Sequence, residues 1–180
     1  MRPIIISGSS RNDGNTTAVV DILVQCTGWD TIDLNDYHIS YYDYRHLNKD
    51  DDFIPLMRKI IDQYDTIILV TPVYWYSMSG IMKVFFDRIS DLITIEKELG
   101  RKLRGKKMAC ISASGGNDLG DLFWLPFRKS AEYLGMIYLG DLHVKVNANH
   151  DRLKGGMANA IGQYIDRIKE NYSQPNQLQR

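Results

Sequence analysis

The 180 residues hold 22 Lys and Arg against 22 Asp and Glu, a formal net charge of zero, with 44% hydrophobic and 24% charged side chains. That size and composition suit one soluble globular domain with a proper core, and the charge balance argues against nucleic acid or an anionic membrane as the main partner. No apolar run approaches the ~20 residues of a membrane span, and no signal segment opens the chain. Cys26 and Cys110 both fall inside apolar patterns and read as buried thiols in a reducing compartment, so the expected location is cytoplasmic.

Ile4–Ser7 is a short apolar strand. It runs straight into Ser-Gly-Ser-Ser-Arg-Asn-Asp-Gly-Asn-Thr-Thr (residues 7–17), and then into a helix that places Val19, Ile22, Leu23 and Cys26 on one face and ends at Gly28. Trp29–Leu34 alternates and is less apolar, as befits an edge strand. Residues 35–52 form the least regular part, a long surface excursion with Tyr37, Tyr41, Tyr42, Tyr44 and two histidines. Its closing Asp50-Asp51-Asp52 reads as helix-capping acid, because adjacent carboxylates without further ligand spacing make a poor metal site. Phe53, Leu56, Met57, Ile60, Ile61 and Tyr64 recur at helical spacing, and Ile67–Val70 is a strand apolar at every position.

A loop at Thr71–Ser79 leads to a helix marked by Met82, Phe85, Phe86, Ile89 and Leu92. Glu96–Lys107 is charged and reads as a solvated connection; a grip on an NADPH 2′-phosphate is the minor alternative. Met108–Ser112 is the fourth strand, Ser114-Gly115-Gly116 a turn, and Asn117 or Asp118 the cap of a helix faced by Leu119, Leu122, Phe123, Phe127, Ala131 and Leu134, with Pro126 as an irregularity inside it. The fifth strand starts at Met136–Leu139, with Val146 as its outer limit. A last helix carries Met157, Ile161, Tyr164, Ile165 and Ile168. This gives one domain over residues 1–172 and a polar tail over 173–180 that is expected to fray.

Five strands, each followed by a helix, predict an α/β doubly wound parallel sheet with helices on both faces and right-handed crossovers. Such sheets bind ligands beyond the carboxyl ends of their strands. Three loops of unusual composition fall there: Ser7–Thr17, Pro72–Ser79 and Ala113–Gly116.

The first is a strand-to-helix turn of hydroxyls, glycines and Arg11, a composition suited to a phosphate at a helix start. It is not a nucleotide-triphosphate loop, since five residues separate Gly8 from Gly14 and Asn15 stands where lysine belongs. Nor is it a dinucleotide turn, because position 10 is serine. A terminal phosphate wrapped by side-chain hydroxyls remains, alongside a plain turn with Asn and Asp caps. The second loop carries Tyr74-Trp75-Tyr76 where a surface loop should be polar, which suggests a flat ligand. The third offers backbone N–H donors without bulky walls, and serves equally well as a simple turn.

Gly8-Ser9-Ser10-Arg11-x-x-Gly14-Asn15-Thr16, then Thr71-Pro72-Val73-Tyr74-Trp75-Tyr76-Ser77-Met78-Ser79-Gly80, then Met82-Lys83-x-Phe85-x-Asp87-Arg88 resembles the NADPH-dependent FMN reductase family of flavodoxin-like flavoproteins, over Ile4 to about Tyr138. The resemblance implies strand order 2-1-3-4-5, and FMN held at its phosphate by Ser9, Arg11, Asn15 and Thr16. It implies Pro72, Val73, Tyr74 and Trp75 along the isoalloxazine, and Ser114, Gly115 and Gly116 at the pyrimidine end. Asp87 and Arg88 are expected to form a structural ion pair. The iron–sulfur branch of the family carries a cysteine cluster that Ser40–Lys49 lacks, so no such cluster is expected.

The implied activity is hydride transfer from NAD(P)H to FMN, then electron transfer to a quinone, another flavin, an azo or nitro compound, or a metal ion. Both substrates would use one flavin face in turn. The flavin carries the chemistry, so no catalytic side chain is expected, and His38, His46, His143 and His150 read as surface or interface residues. By analogy the tyrosine-rich segment faces the flavin of a second subunit in a homodimer or homotetramer. A flavodoxin-type electron carrier, which zero net charge disfavours, and a non-enzymatic flavin-binding module are the alternatives.

Overall fold

The computed structural model describes residues 1–116, 119–146 and 150–173. The cap expected at Asn117 or Asp118 and the tail beyond residue 173 lie outside the described residues. In chain order the elements are β1 (Pro3–Ser7), α1 (Asn15–Thr27), β2 (Asp30–Asp33), α2 (Phe53–Gln63), β3 (Thr66–Pro72), α3 (Gly80–Thr94), α4 (Lys97–Arg101), β4 (Lys107–Ser114), α5 (Gly120–Tyr133), β5 (Ile137–Lys145) and α6 (His150–Ser173). A 3-10 turn at Leu34–Asp36 follows β2.

The strands form one parallel sheet in the order β2-β1-β3-β4-β5, the expected flavodoxin-like order. Strands β1, β3 and β4 are buried almost throughout, which is why their sequences are continuous apolar runs instead of alternating ones. Their side chains split between two cores. Ile4, Ile6, Ile67, Leu69, Met108 and Cys110 point to the face covered by α2, α3 and α5. Ile5, Ile68, Val70, Ala109 and Ile111 point to the face covered by α1 and α6. Order reverses between β1 and β3, so the loops after β1, β3 and β4 meet at one edge of the sheet.

Three details depart from the sequence reading. Cys110 is buried, but Cys26 is exposed, because the buried stripe of α1 is Thr16, Val19 and Leu23 and stops a turn before the helix ends. The charged stretch after α3 is not wholly a solvated connection. It holds α4, and Leu99 and Leu103 enter the core. Gly100 makes this close approach feasible, since a Cβ there would lie 2.0 Å from the Leu92 carbonyl oxygen. Strand β5 runs nearly to its outer limit, with a register shift opposite Met108 and Cys110 and Gly140 at φ 114°.

The third departure concerns Arg88, which does not pair with Asp87. Asp87 pairs with Lys83, one turn back along the exposed face of α3. The side chain of Arg88 is fully buried and turns toward Asp51 and Asp91. Its guanidinium donates to Asp91 Oδ2 at 2.7 Å, to Asp51 Oδ1 at 3.1 Å, and to the carbonyls of Ser40 at 3.1 Å and Asn48 at 3.4 Å. The plane lies over the Phe53 ring at 5.0 Å. Sequence neighbours on a helix point 100° apart, so an i,i+1 pair was the wrong geometry to expect. The partner that matters comes from the excursion, which Arg88 ties down onto α3.

Candidate functional site

Helix α1 begins without a side-chain cap: Gly14 is its N-cap residue and carries no hydroxyl or carboxyl to accept from the first turn. Those N–H groups therefore face the loop without a capping side chain, where an anion would be stabilised. Ser9 is buried, and its Oγ accepts from Arg11 N at 3.3 Å. The Arg11 guanidinium lies beside Gly14, so a Cβ at residue 14 would sit 3.4 Å from Nη2. The end of β2 holds the loop from its far side, since Asn35 Nδ2 donates to the Ser9 carbonyl and to Asp33 Oδ1.

A relay of buried hydroxyls ties the first two edge loops to each other and to the end of β4. Ser79 is the N-cap of α3, accepting from Met82 N at 3.1 Å, and its own O–H donates to the Gly8 carbonyl. Its N–H donates to Thr71 Oγ1 at 3.1 Å, and Ser112 Oγ donates to the Thr71 carbonyl at 2.9 Å. Gly8 N closes the chain on Val70 O at 2.9 Å. Gly8 must be glycine here, because a Cβ would lie 2.8 and 2.9 Å from two carbons of Met82. All three hydroxyl residues are buried, and buried polar groups satisfied in this way fix a single geometry.

The aromatic loop is a tight reverse turn. Tyr74 N donates to Ser77 O at 2.9 Å and Ser77 N to Tyr74 O at 3.0 Å, with Trp75 at φ 50° and Tyr76 at φ 60°. Two consecutive left-handed residues make a primed turn, which normally takes Asn-Gly or Gly-Gly. Bulky side chains there cost on the order of 1–3 kcal/mol each. Both are also exposed, Trp75 at 96% and Tyr76 at 79%. Strain and apolar exposure at the same two residues earn nothing in folding and point to a ligand or a partner. Tyr74 lies lower, its hydroxyl 2.9 Å from Ser10 Oγ.

These loops enclose a cleft of about 180 Å3 lined by Ser9, Arg11, Gly14, Asn15, Thr16, Pro72, Val73, Tyr74, Ala113, Ser114 and Gly115. Nine of the eleven residues expected from the sequence are among them. Trp75 stands at the tip of its turn and does not line the cleft. Gly116 lies just behind it, its N–H donating to Ser114 Oγ at 3.2 Å. Gly14 and Ala113 join the lining without having been singled out. Asn35 and His143, which hold lining residues in place, carried no local sequence signal, whereas Ser79 stands where the sequence places a cap for the following helix, and it caps α3. His143 sits next to Ser114, with Nε2 2.8 Å from Oγ.

A larger cavity of about 620 Å3 lies between the excursion and α3, lined by Leu34, Tyr37, Ile39, Tyr41, Ile81 and Val84 among others. It is mostly apolar and includes no residue of the loop that starts α1. The smaller cleft has the donor chemistry. Its lining includes one guanidinium, three hydroxyls on serine and threonine, an open helix start and no carboxylate. Phosphate binding needs that combination, and the slot between residues 72–74 and 113–115 continues from it.

The family model for NADPH-dependent FMN reductase matches residues 1–151. The Bacillus subtilis (strain 168) protein YwqN, described as an NAD(P)H-dependent FMN-containing oxidoreductase, is 28% identical over 170 residues, covering 88% of this chain and 92% of its own length. Among solved structures, the Trp repressor binding protein from Bacillus subtilis superposes with TM-score 0.68 at 24% identity, covering 88% of this chain and 94% of that one. An FMN-dependent NADH-azoreductase from Bacillus anthracis str. Ames Ancestor, in complex with FMN, superposes with TM-score 0.65 at 16% identity over 94% and 98% of the two chains. With the sheet order, the edge cleft and the match over most of its length in agreement, the chain belongs to the NADPH-dependent FMN reductase family, oxidoreductases that use FMN with NAD(P)H.

Proposed function

We propose that the cleft at the carboxyl edge of the sheet holds FMN, that NAD(P)H reduces it there, and that the electrons then pass to a small-molecule acceptor on the same flavin face. The observation that carries this reading is the convergence of an uncapped helix start, Arg11 and three hydroxyl side chains in one carboxylate-free cleft that opens between the two other edge loops. FMN when bound supplies the electron-accepting ring, and the chain's residues position it. Ser9, Arg11, Asn15, Thr16 and the N–H groups of the first turn of α1 take the phosphate. Pro72, Val73 and Tyr74 wall the isoalloxazine, and Trp75 and Tyr76 stand over its approach. Ser114, Gly115 and Gly116 lie at the pyrimidine end, where negative charge collects on reduction, with the Gly116 N–H held by Ser114 Oγ.

The acceptor class that fits is a flat quinone, flavin, azo or nitro compound, since the aromatic tip offers faces to stack on; a metal ion is the remaining choice. The chain works as a homodimer or homotetramer in the cytoplasm, and the exposed Tyr41, Tyr44, Leu47, Trp75 and Tyr76 are the apolar surface a second subunit would cover. No helix among the described residues is long and apolar enough to cross a membrane.

The test is the visible spectrum of the purified protein before and after NADPH under anaerobic conditions. Flavin bands that bleach are expected. Bands that persist would favour an electron carrier or a binding module. A colourless protein that fails to take up added FMN would overturn the assignment of the cleft.

A further inference from the structure

We propose that His143 is a positioning residue that sets the direction of the Ser114 hydroxyl at the pyrimidine end of FMN, so that a proton taken up by the imidazole turns the Ser114 O–H toward the flavin. The inference rests on the reading of the cleft given above.

It follows from counting hydrogen-bond positions. His143 lies across from Ser112 in the β4–β5 register, one diagonal step from Ser114 at the end of β4. A serine hydroxyl has one proton to give and two positions at which to accept. Gly116 N–H fills one accepting position at 3.2 Å. The contact of 2.8 Å to His143 Nε2 runs in one of two senses. In the neutral tautomer assigned to His143, with the ring proton on Nδ1, Nε2 accepts, and the only hydroxyl proton of Ser114 is committed to the histidine. When the imidazole is protonated, Nε2 donates, and both accepting positions of Oγ are full. The hydroxyl proton then has to leave that side, and Ser114 lines the cleft with Ala113 and Gly115. The added proton rests on His143 Nε2, and Ser114 keeps its own. A donor aimed at the pyrimidine end favours reduced over oxidised FMN.

Histidine is the side chain whose ordinary range falls between pH 5 and 8. Among the described residues, the charged groups on the elements beside it are these. Asp141 and Lys145 are on its own strand. Asp121 and Arg128 on α5, which packs on this side, are paired with each other at 2.9 Å. Arg11 lines the cleft itself.

The test is the midpoint potential of bound FMN against pH, measured on the holoproteins of wild type, His143→Gln, Ser114→Ala and Ser114→Thr. As pH falls from about 8 to 5, wild type should gain about tenfold in its preference for reduced over oxidised FMN beyond what His143→Gln gains, roughly 30 mV for a two-electron couple. Ser114→Ala should lose this component, and Ser114→Thr, which keeps the hydroxyl, should retain it. If His143→Gln keeps the full wild-type response, the inference is overturned while FMN in the cleft stands. The same holds if His143→Gln weakens both redox forms equally and leaves the pH response intact, as a purely structural role would. Failure of wild type to bind FMN in either state would remove the cleft assignment and the inference together.

Discussion

Replacing Arg88 with methionine should release the tyrosine-rich excursion from α3. Methionine fills much of the same volume and removes the charge, leaving the buried carboxylate of Asp51 without its cation and that of Asp91 with only His46 Nδ1 at 3.0 Å; their side chains are 6% and 1% exposed. Breaking one partner out of a buried charge pair costs about 3–5 kcal/mol, because the remaining charges stay desolvated. At about 2–4 °C per kcal/mol for a domain of this size, the melting temperature should fall by on the order of 10 °C. Thermal unfolding followed by circular dichroism at neutral pH measures it, and faster proteolysis within residues 40–52 should accompany it. The pH dependence follows from Asp51. Burial raises its carboxyl, but the Arg88 side chain and the N–H groups of Ser40 and Phe53 outweigh that and hold it below the ordinary 3.8. A carboxyl depressed in the folded state stabilises above its unfolded value, and that contribution is lost as pH falls through the folded one. The gap between wild type and Arg88→Met should therefore be full at neutral pH and shrink below about pH 4. A melting drop under about 2 °C would refute the reasoning, since it would place the pair among exposed ion pairs worth less than ~1 kcal/mol.

Gly8→Ala puts a methyl group within 2.9 Å of Met82 Cβ; an overpacking cost of about 1–3 kcal/mol should appear in the melting temperature, along with weaker FMN binding by flavin fluorescence titration. Arg11→Ala should weaken FMN by roughly 10- to 100-fold through loss of a charge-assisted phosphate contact while leaving riboflavin affinity unchanged, and equal losses for both flavins would argue against a phosphate contact. Exchanging the turn tip by Trp75→Asn with Tyr76→Gly should stabilise the protein by about 1–2 kcal/mol, because Asn-Gly adopts the primed turn without strain. The same variant should raise KM for the electron acceptor; a gain in stability with unchanged KM would mean that the aromatic tip has no part in acceptor binding.

The fold was legible because the signals that specify it are local. Continuous apolar runs at Ile4–Ile6 and Ile67–Val70 can only be strands covered on both sides, and helical spacing between them sets the winding. The edge loops were legible from composition for the same reason: glycine, hydroxyls and aromatics have no structural need to gather after three different strands. Misreadings arose where a residue's role is decided by a partner far along the chain. One partner of Arg88, Asp91, is an i,i+3 neighbour on the same helix, but the other is Asp51, 37 residues away, and nothing within a turn of either residue announces that pairing. Cys26 fits the apolar helix pattern, but whether anything packs over the last turn of α1 is settled by the sheet beneath it. His143 looks like one scattered histidine of four until the β4–β5 register brings it to Ser114.

The same contrast separates the two halves of the cleft. The half proposed to take the phosphate is over-determined: the relay through Ser79, Thr71 and Ser112 joins the first two loops and the end of β4 with buried hydrogen bonds, and Gly8 allows α3 to pack against the first loop. A rigid frame of this kind can support strain elsewhere, and the strain lies a few residues from Ser79, at Trp75 and Tyr76. Each level of the sequence agrees with the fold except at this turn, where two aromatic residues occupy positions that backbone sterics reserve for asparagine and glycine. Strain and exposure held at two aromatic residues beside a preorganised cleft fit the proposed stacking surface for a flat acceptor.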